Sequence, residues 1–306
     1  MALADTRTTT DAVRRALTGR RRDLGGRLFE SGLLLMLLIA LATLIVLLAK
    51  IFGQGWSVFA ERGTSFLTSP MSQAAGRAGI WQGIVGSLML MAFVVVIAFP
   101  LGVGAAVYLE EYARDTRFTR FVNANIRNLA GVPSIVYGLL GLTIFVELLG
   151  FGRSVIAGGV TLAILVLPIV IITTAEALRA VPNSIREAGF GVGATKWEVV
   201  RSHVLPYAAP GIFTGTVLSI SRALGETAPL LLVGAIQGTF FTGSQSLLER
   251  LQGLYTSLPT VIYTWSRQPN PDFQKLTAAA IMVLLVVLLM VNATAILLRN
   301  RYERKW

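Results

Sequence analysis

Six long runs of almost uncharged apolar residues decide what this chain can fold into. They cover roughly residues 33–52, 84–109, 129–150, 155–174, 212–235 and 276–298, and each is long enough to cross about 30 Å of hydrocarbon as a helix. In lipid a helix satisfies its own backbone hydrogen bonds, so the expected fold class is an all-α membrane protein with six transmembrane helices. With 54% of its 306 residues hydrophobic and only 14% charged, the chain is too apolar for an ordinary soluble domain of this length. The expected organisation is an Arg- and Thr-rich tail over residues 1–28, disordered in water, then a single transmembrane domain over 29–298, and a short basic C-terminus over 299–306.

The basic residues set the expected orientation. If the N-terminus lies inside, 19 of the 27 Lys and Arg residues fall in the inside segments and six in the outside ones, leaving Lys50 at a span end and Arg222 within a span. That asymmetry predicts a multi-pass protein of the cytoplasmic membrane with both termini cytoplasmic. The net charge of +11 is spread over tail and loops beside the spans, which points to topology and anionic lipid rather than to nucleic acid. No small-residue cleavage site follows the first run, so it reads as a retained signal anchor. The absence of cysteine removes disulfide and thiolate chemistry.

Pro100, Pro133, Pro168 and Pro229 fall within or at the edge of spans, where each removes a backbone donor and favours a kink. Gly211 and Gly215 are spaced to let helices approach closely. Three connections, 53–83, 175–211 and 236–275, are long, and long ordered loops tend to be functional.

Within the fifth run, Arg222 is a functional candidate by default, because an arginine at membrane depth costs about 2.5–3.5 kcal/mol before pairing. Glu226 lies at i+4, one helical turn later. The pair either neutralises itself and holds the bundle together, or Arg222 meets an anion in transit with its planar fork of donors while Glu226 aims it and competes for it.

The polar stretch 182–206 between the fourth and fifth runs reads as two short helices joined by a glycine turn. Ser184 with Glu187 and Thr195 with Glu198 each have the spacing of a capping box. Gly189, Gly191 and Gly193 permit the turn, and Pro206 is expected to stop the second helix. Trp197, Val200 and Val204 recur at helical spacing and give that helix an apolar stripe, suited to docking a partner or to lying on the membrane surface.

Other signals are weaker. His203, the only histidine, has no accompanying ligands for a metal and reads as a packing or hydrogen-bonding residue. Gly189 to Lys196 superficially suggests a phosphate loop, but Ala194 and Thr195 occupy the positions of its second glycine and lysine, so no ATP site and no bound cofactor is expected on this chain. No Ser-His-Asp arrangement or carboxylate pair suggests an enzyme. Asn292 begins a glycosylation sequon inside the last span, where no sugar could be attached.

Glu187-Ala188, then Gly193, then His203-Val204-Leu205-Pro206, resembles the EAA loop of ABC importer permeases, with Gly189 and His203 departing from the usual pattern. Six spans with that loop before the fifth resemble the type I importer fold. Gly131 to Gly138 (GVPSIVYG), Arg222 to Leu230 (RALGETAPL) and Ser257 to Trp265 (SLPTVIYTW) are similar to permeases of the phosphate-specific transporter, the last stretch to its PstA branch. The resemblance covers about residues 80–300.

It implies a permease without its own ATPase, working by alternating access beside a PstC-like sister permease, a PstB-like ATPase dimer carrying ATP and Mg, and a PstS-like phosphate-binding protein. It also implies that Glu187, Ala188, Gly193, Ala194, Thr195 and Trp197 couple to the ATPase, and that Arg222 and Glu226 line the substrate pathway. Sulfate, molybdate or phosphonate are alternative cargoes on the same fold. A membrane enzyme acting on a lipid phosphate and a stand-alone channel are the readings from other classes; neither accounts for the docking hairpin.

Overall fold

The computed structural model describes residues 24–235 and 247–302. Most of the expected tail, part of the loop 236–275 and the last four residues lie outside them. Among the described residues all regular structure is helical. The chain divides into two compact units at residues 51 and 52. The boundary falls inside helix α1, Leu24–Arg62, which begins four residues before the expected edge of the tail. In the first unit the apolar side chains of α1 are exposed along its length, as befits a helix that meets lipid or a partner.

The second unit is built around the most buried helix, α5. In chain order its labelled elements are α2 (Trp81–Tyr112), α3 (Arg117–Ala130), α4 (Ser134–Leu148), α5 (Val155–Arg179), α6 (Asn183–Gly191), α7 (Lys196–Gly225), α8 (Ala228–Val233), α9 (Leu258–Ser266) and α10 (Pro271–Tyr302). Helices α1, α2, α5, α7 and α10 contain stretches long and apolar enough to cross a membrane, and the bent pair α3 and α4 makes a sixth when the two are counted as one span. The third run therefore does not form one straight helix over 129–150. A bend of 100° separates α3 from α4 at Gly131-Val132-Pro133, because proline excludes the helical conformation from the residue before it.

The fifth run also differs from its expected limits. Residues 196–225 form one continuous helix that includes the second half of the elbow, and the apolar run then breaks at Glu226 and Thr227 before α8. Pro206 does not stop α7. A widened turn over Val200–Val204, closed by the Leu205 amide on the Val200 carbonyl, precedes the proline and absorbs its missing donor. The same device, over Val94–Ala98, precedes Pro100 in α2. Pro168 sits buried within an uninterrupted α5, and Pro229 occupies the first turn of α8, a position where its missing N–H costs nothing.

Close backbone approach fixes α7 against α5. A Cβ on Gly211 would lie 2.8 Å from Ala177 Cβ, inside van der Waals contact, so the small residue is what lets the two helices meet. Two apolar clusters continue this packing. One, at the end of the bundle that carries the elbow, joins Ile171 and Leu178 of the fourth span, and Val181 just beyond it, to Val199, Val204 and Ile212. The other, at the opposite end, gathers Phe66, Met71 and Ile80 with Trp265 and Phe273. There Arg62 donates from Nη1 to the Ala78 carbonyl at 2.8 Å and holds the loop after α1.

Candidate functional site

The elbow between α5 and α7 is a rigid turn. Its second helix starts on a complete capping box: the Thr195 amide donates to Glu198 Oε2 at 2.7 Å, and the Glu198 amide donates to Thr195 Oγ1 at 3.4 Å. The first box does not form. Helix α6 begins at Asn183 behind Pro182 with no side-chain cap, so Ser184 and Glu187 lie within the helix rather than bracketing its start.

Gly193 has φ +82°, a left-handed conformation that costs an L-residue roughly 1–2 kcal/mol. That turn lets the Ala194 amide reach back to the Gly189 carbonyl at 3.1 Å. Glu187, Ala188, Gly193, Thr195 and Trp197 are exposed around the turn, and Ala194 is half-buried against the elbow's own core.

The apolar stripe divides between two tasks. Val200 and Val204 are buried with Val199 inside the chain, so they hold the elbow to the bundle and are not a docking face. The exposed apolar tip consists instead of Trp197, Phe190 and Val192, the last 84% exposed. These three side chains sit on the helix ends and the turn that join α6 to α7. His203 is exposed on the widened turn, so it does not pack as expected.

An ion-pair latch absent from the sequence reading anchors the elbow. Glu110 and Glu111 end α2 and face two arginines. Arg179, the last residue of α5, grips Glu110, and Arg186 of α6 donates to Glu111 at 2.7 Å. Arg186 also donates to the carbonyls of Val181 at 2.9 Å and Leu178 at 3.0 Å, so one guanidinium binds the end of the fourth span, the elbow and the second span. The adjacent acid pair at the end of α2 was the available signal; counting only basic residues for topology passes over it.

Glu111 is buried, and removing its partner leaves a buried charge uncompensated. Arg186→Ala is therefore expected to destabilise the folded protein by about 3 kcal/mol or more, read as a lower unfolding midpoint in detergent, with Arg186→Lys recovering only part because a single ammonium cannot replace the fork.

At membrane depth Arg222 and Glu226 approach to 3.5 Å, but not on one continuous helix. Helix α7 ends at Gly225, and Glu226 takes an extended conformation as its C-terminal cap. The Arg222 side chain is 49% exposed and the Glu226 side chain 15%, so among the described residues the arginine is held by one long contact and is half open.

Next to it, Ser221 hydrogen-bonds Asn292 of α10; the sequon asparagine thus ties the last span to the arginine's turn. The residues after Arg222, Ala223 and Leu224, line a cavity of about 10 Å³ with Ser87, Leu90, Leu230 and Pro259, a volume that admits no more than a water. Side chains of α2, α7, α8 and α9 close around this cavity.

Two of the sequence motifs meet beside this closure. A Cβ on Gly138 would lie 2.6 Å from Pro229 Cα, which joins GVPSIVYG to RALGETAPL through backbone contact. The third motif starts at Ser257, which caps α9 with Thr260, and the Leu258 amide donates to Ser87 Oγ at 2.9 Å. All three converge where the arginine-bearing helix breaks.

Comparisons with known proteins agree with this architecture. Residues 98–301 match the family model described as "Binding-protein-dependent transport system inner membrane component". The chain is 37% identical over 267 residues to the "Phosphate transport system permease protein PstA 1" of Mycobacterium tuberculosis (strain CDC 1551 / Oshkosh), covering 85% of this chain and 84% of that one. It is 35% identical over 246 residues to "Phosphate transport system permease protein PstA" of Yersinia pestis, covering 79% and 77%. In fold it is similar to a chain of a bacterial alginate ABC transporter, with TM-score 0.63, 14% identity and coverage of 95% and 99%. A chain of the inward-facing MetNI methionine ABC transporter gives 0.57, 18%, 74% and 95%.

Proposed function

The chain belongs to the family of binding-protein-dependent transport system inner membrane components, and from that membership we propose that it is the permease subunit of an ATP-driven importer of inorganic phosphate. The observation that carries the cargo is the 37% identity over 85% of the chain to a phosphate permease. The convergence of the three motifs beside Arg222 supports it, because a half-exposed guanidinium suits a tetrahedral oxyanion.

In this reading the chain is a multi-pass protein of the cytoplasmic membrane with both termini inside, following the 19-to-6 excess of basic residues. ATP and Mg are bound and hydrolysed on a separate PstB-like ATPase dimer. The ATPase receives the exposed tip formed by Phe190, Val192 and Trp197 around Gly193. Because the second half of the elbow is continuous with α7, displacement of the tip moves the arginine-bearing helix as one body, while the Arg186 latch carries the same displacement to α2 and α5.

Opening the closure around Leu90, Leu230 and Pro259 exposes the path to a PstS-like binding protein, and a PstC-like sister permease completes the channel wall. Arg222 then meets the anion, and Glu226 competes for the arginine so that the anion can leave. Loaded binding protein outside must in turn bias the ATPases inside, since the coupling between sites is reciprocal.

The test is labelled-phosphate uptake by proteoliposomes containing the chain with the subunits that copurify, driven by ATP and challenged by excess sulfate, molybdate or phosphonate. Unlabelled phosphate alone is expected to suppress uptake. Absence of ATP-driven uptake of labelled phosphate, with labelled sulfate, molybdate or phosphonate taken up in its place, overturns the cargo and leaves the family intact.

A further inference from the structure

Helix α3, RFTRFVNANIRNLA, presents three distinct faces. Taking about 100° per residue, Thr119, Val122, Asn123, Ile126 and Ala130 share one side. These are its half-buried residues, and Ile126 packs into the cluster with Leu178 and Val181 at the end of α5. On the exposed remainder, Phe118, Phe121 and Leu129 fall within an arc of about 80°, and Arg117, Arg120 and Arg127 within a neighbouring arc of about 80°. Phe118 is 74% exposed and Phe121 64%. Large aromatic side chains left bare on a helix whose other side is packed require an occupant.

The geometry points to a lipid surface as that occupant: we propose that α3 is an interfacial anchor that binds the anionic leaflet on the elbow's side of the membrane. Two observations select lipid over protein. The 100° bend between α3 and the apolar arm α4 lays α3 close to the membrane plane once α4 enters the bilayer. The charge on and around α3 is also one-sided: Arg114, Arg117, Arg120 and Arg127 face a single acid, Asp115, which Arg120 engages at 3.0 Å.

An apolar arc beside a basic arc is what a helix needs to sink its aromatics below the headgroups while its guanidinium groups reach the phosphates. Each basic side chain near an anionic surface is worth roughly fivefold in binding. The anchor fixes the height of the segment joining α2 to α4, and through Ile126 it braces the end of α5 from which the elbow departs.

The chain contains no cysteine, so single reporters can be introduced by substitution. Phe121→Cys and Arg120→Cys would each be spin-labelled in the chain purified with its copurifying subunits and placed in nanodiscs of phosphatidylcholine with or without phosphatidylglycerol. The label at 121 is expected to be accessible to oxygen and protected from a water-soluble nickel chelate, and the label at 120 the reverse. Adding phosphatidylglycerol should lower nickel access at 121, and that response should vanish when Arg117, Arg120 and Arg127 are all replaced by glutamine. Protection of position 121 from both reagents would place a protein on this face and overturn the proposal. Free access of the nickel chelate to 121 would place the helix in water and overturn it too. An unchanged phosphatidylglycerol response in the triple variant would remove the role of charge. None of these outcomes depends on which anion is transported.

Discussion

Arg222→Ala is expected to abolish phosphate uptake while the protein still reaches the membrane and assembles. Hydrogen bonds to a charged group contribute about 1.5–3 kcal/mol each, so losing two of them to a passing anion lowers the rate at least about 100-fold. The fold should survive because the arginine is half exposed and, among the described residues, what holds it is the 3.5 Å approach to Glu226.

Truncation strands the carboxylate, and Glu226→Gln in the same chain removes that liability. The double variant should therefore regain normal thermal stability and still fail to transport. Arg222→Lys keeps the charge but loses the planar fork, and an intermediate rate is expected. The measurement is initial uptake by proteoliposomes of matched protein content. Near-native uptake by Arg222→Ala would reduce the pair to a structural ion pair that merely holds the helix end.

Gly193→Phe is expected to separate ATP hydrolysis from transport. The position has φ +82°, and a Cβ built there meets nothing within 4 Å. The substitution therefore causes no clash inside the chain; it strains the turn and places bulk on the exposed tip that is proposed to dock. The roughly 1–2 kcal/mol of strain corresponds to about 5- to 30-fold in the population of the correct turn. Uptake should fall by at least that factor while hydrolysis by the associated ATPase continues. Asparagine tolerates the left-handed region better than most residues, so Gly193→Asn should retain more uptake than the phenylalanine variant. Equal coupling ratios in native protein and Gly193→Phe would refute the elbow's mechanical role.

The parts of the candidate site that were legible in sequence are those encoded by local chemistry. Thr195 and Glu198 are three residues apart, and their capping box depends on nothing beyond that turn. Gly193 announces a backbone that other residues resist. Arg222 is conspicuous because its neighbours are apolar. Ser184 and Glu187 had the same capping spacing, yet Pro182 and the path of the chain leaving α5 begin the helix at Asn183 and leave no cap to make. The stripe of Trp197, Val200 and Val204 showed that one face of the elbow is apolar but not what covers it. Burial of Val204 in the cluster with Leu178 and Val181, and of Val200 beside it in sequence, moves the free apolar surface to Phe190 and Val192.

The amino-acid order by itself determined the approximate places of the apolar helices, the elbow and its turn, and the isolated charge in the fifth run, because hydropathy, capping and left-handed backbone preference act over a few neighbouring residues. Only the tertiary structure decided that Glu111 and Arg186, 75 residues apart, form one latch, that Asn292 holds Ser221, that Pro206 rides within a continuous helix, and that α3 leaves the direction of α4. Each of these depends on which helices stand side by side, and adjacency in a bundle is set by the fit of whole faces rather than by any short stretch of chain.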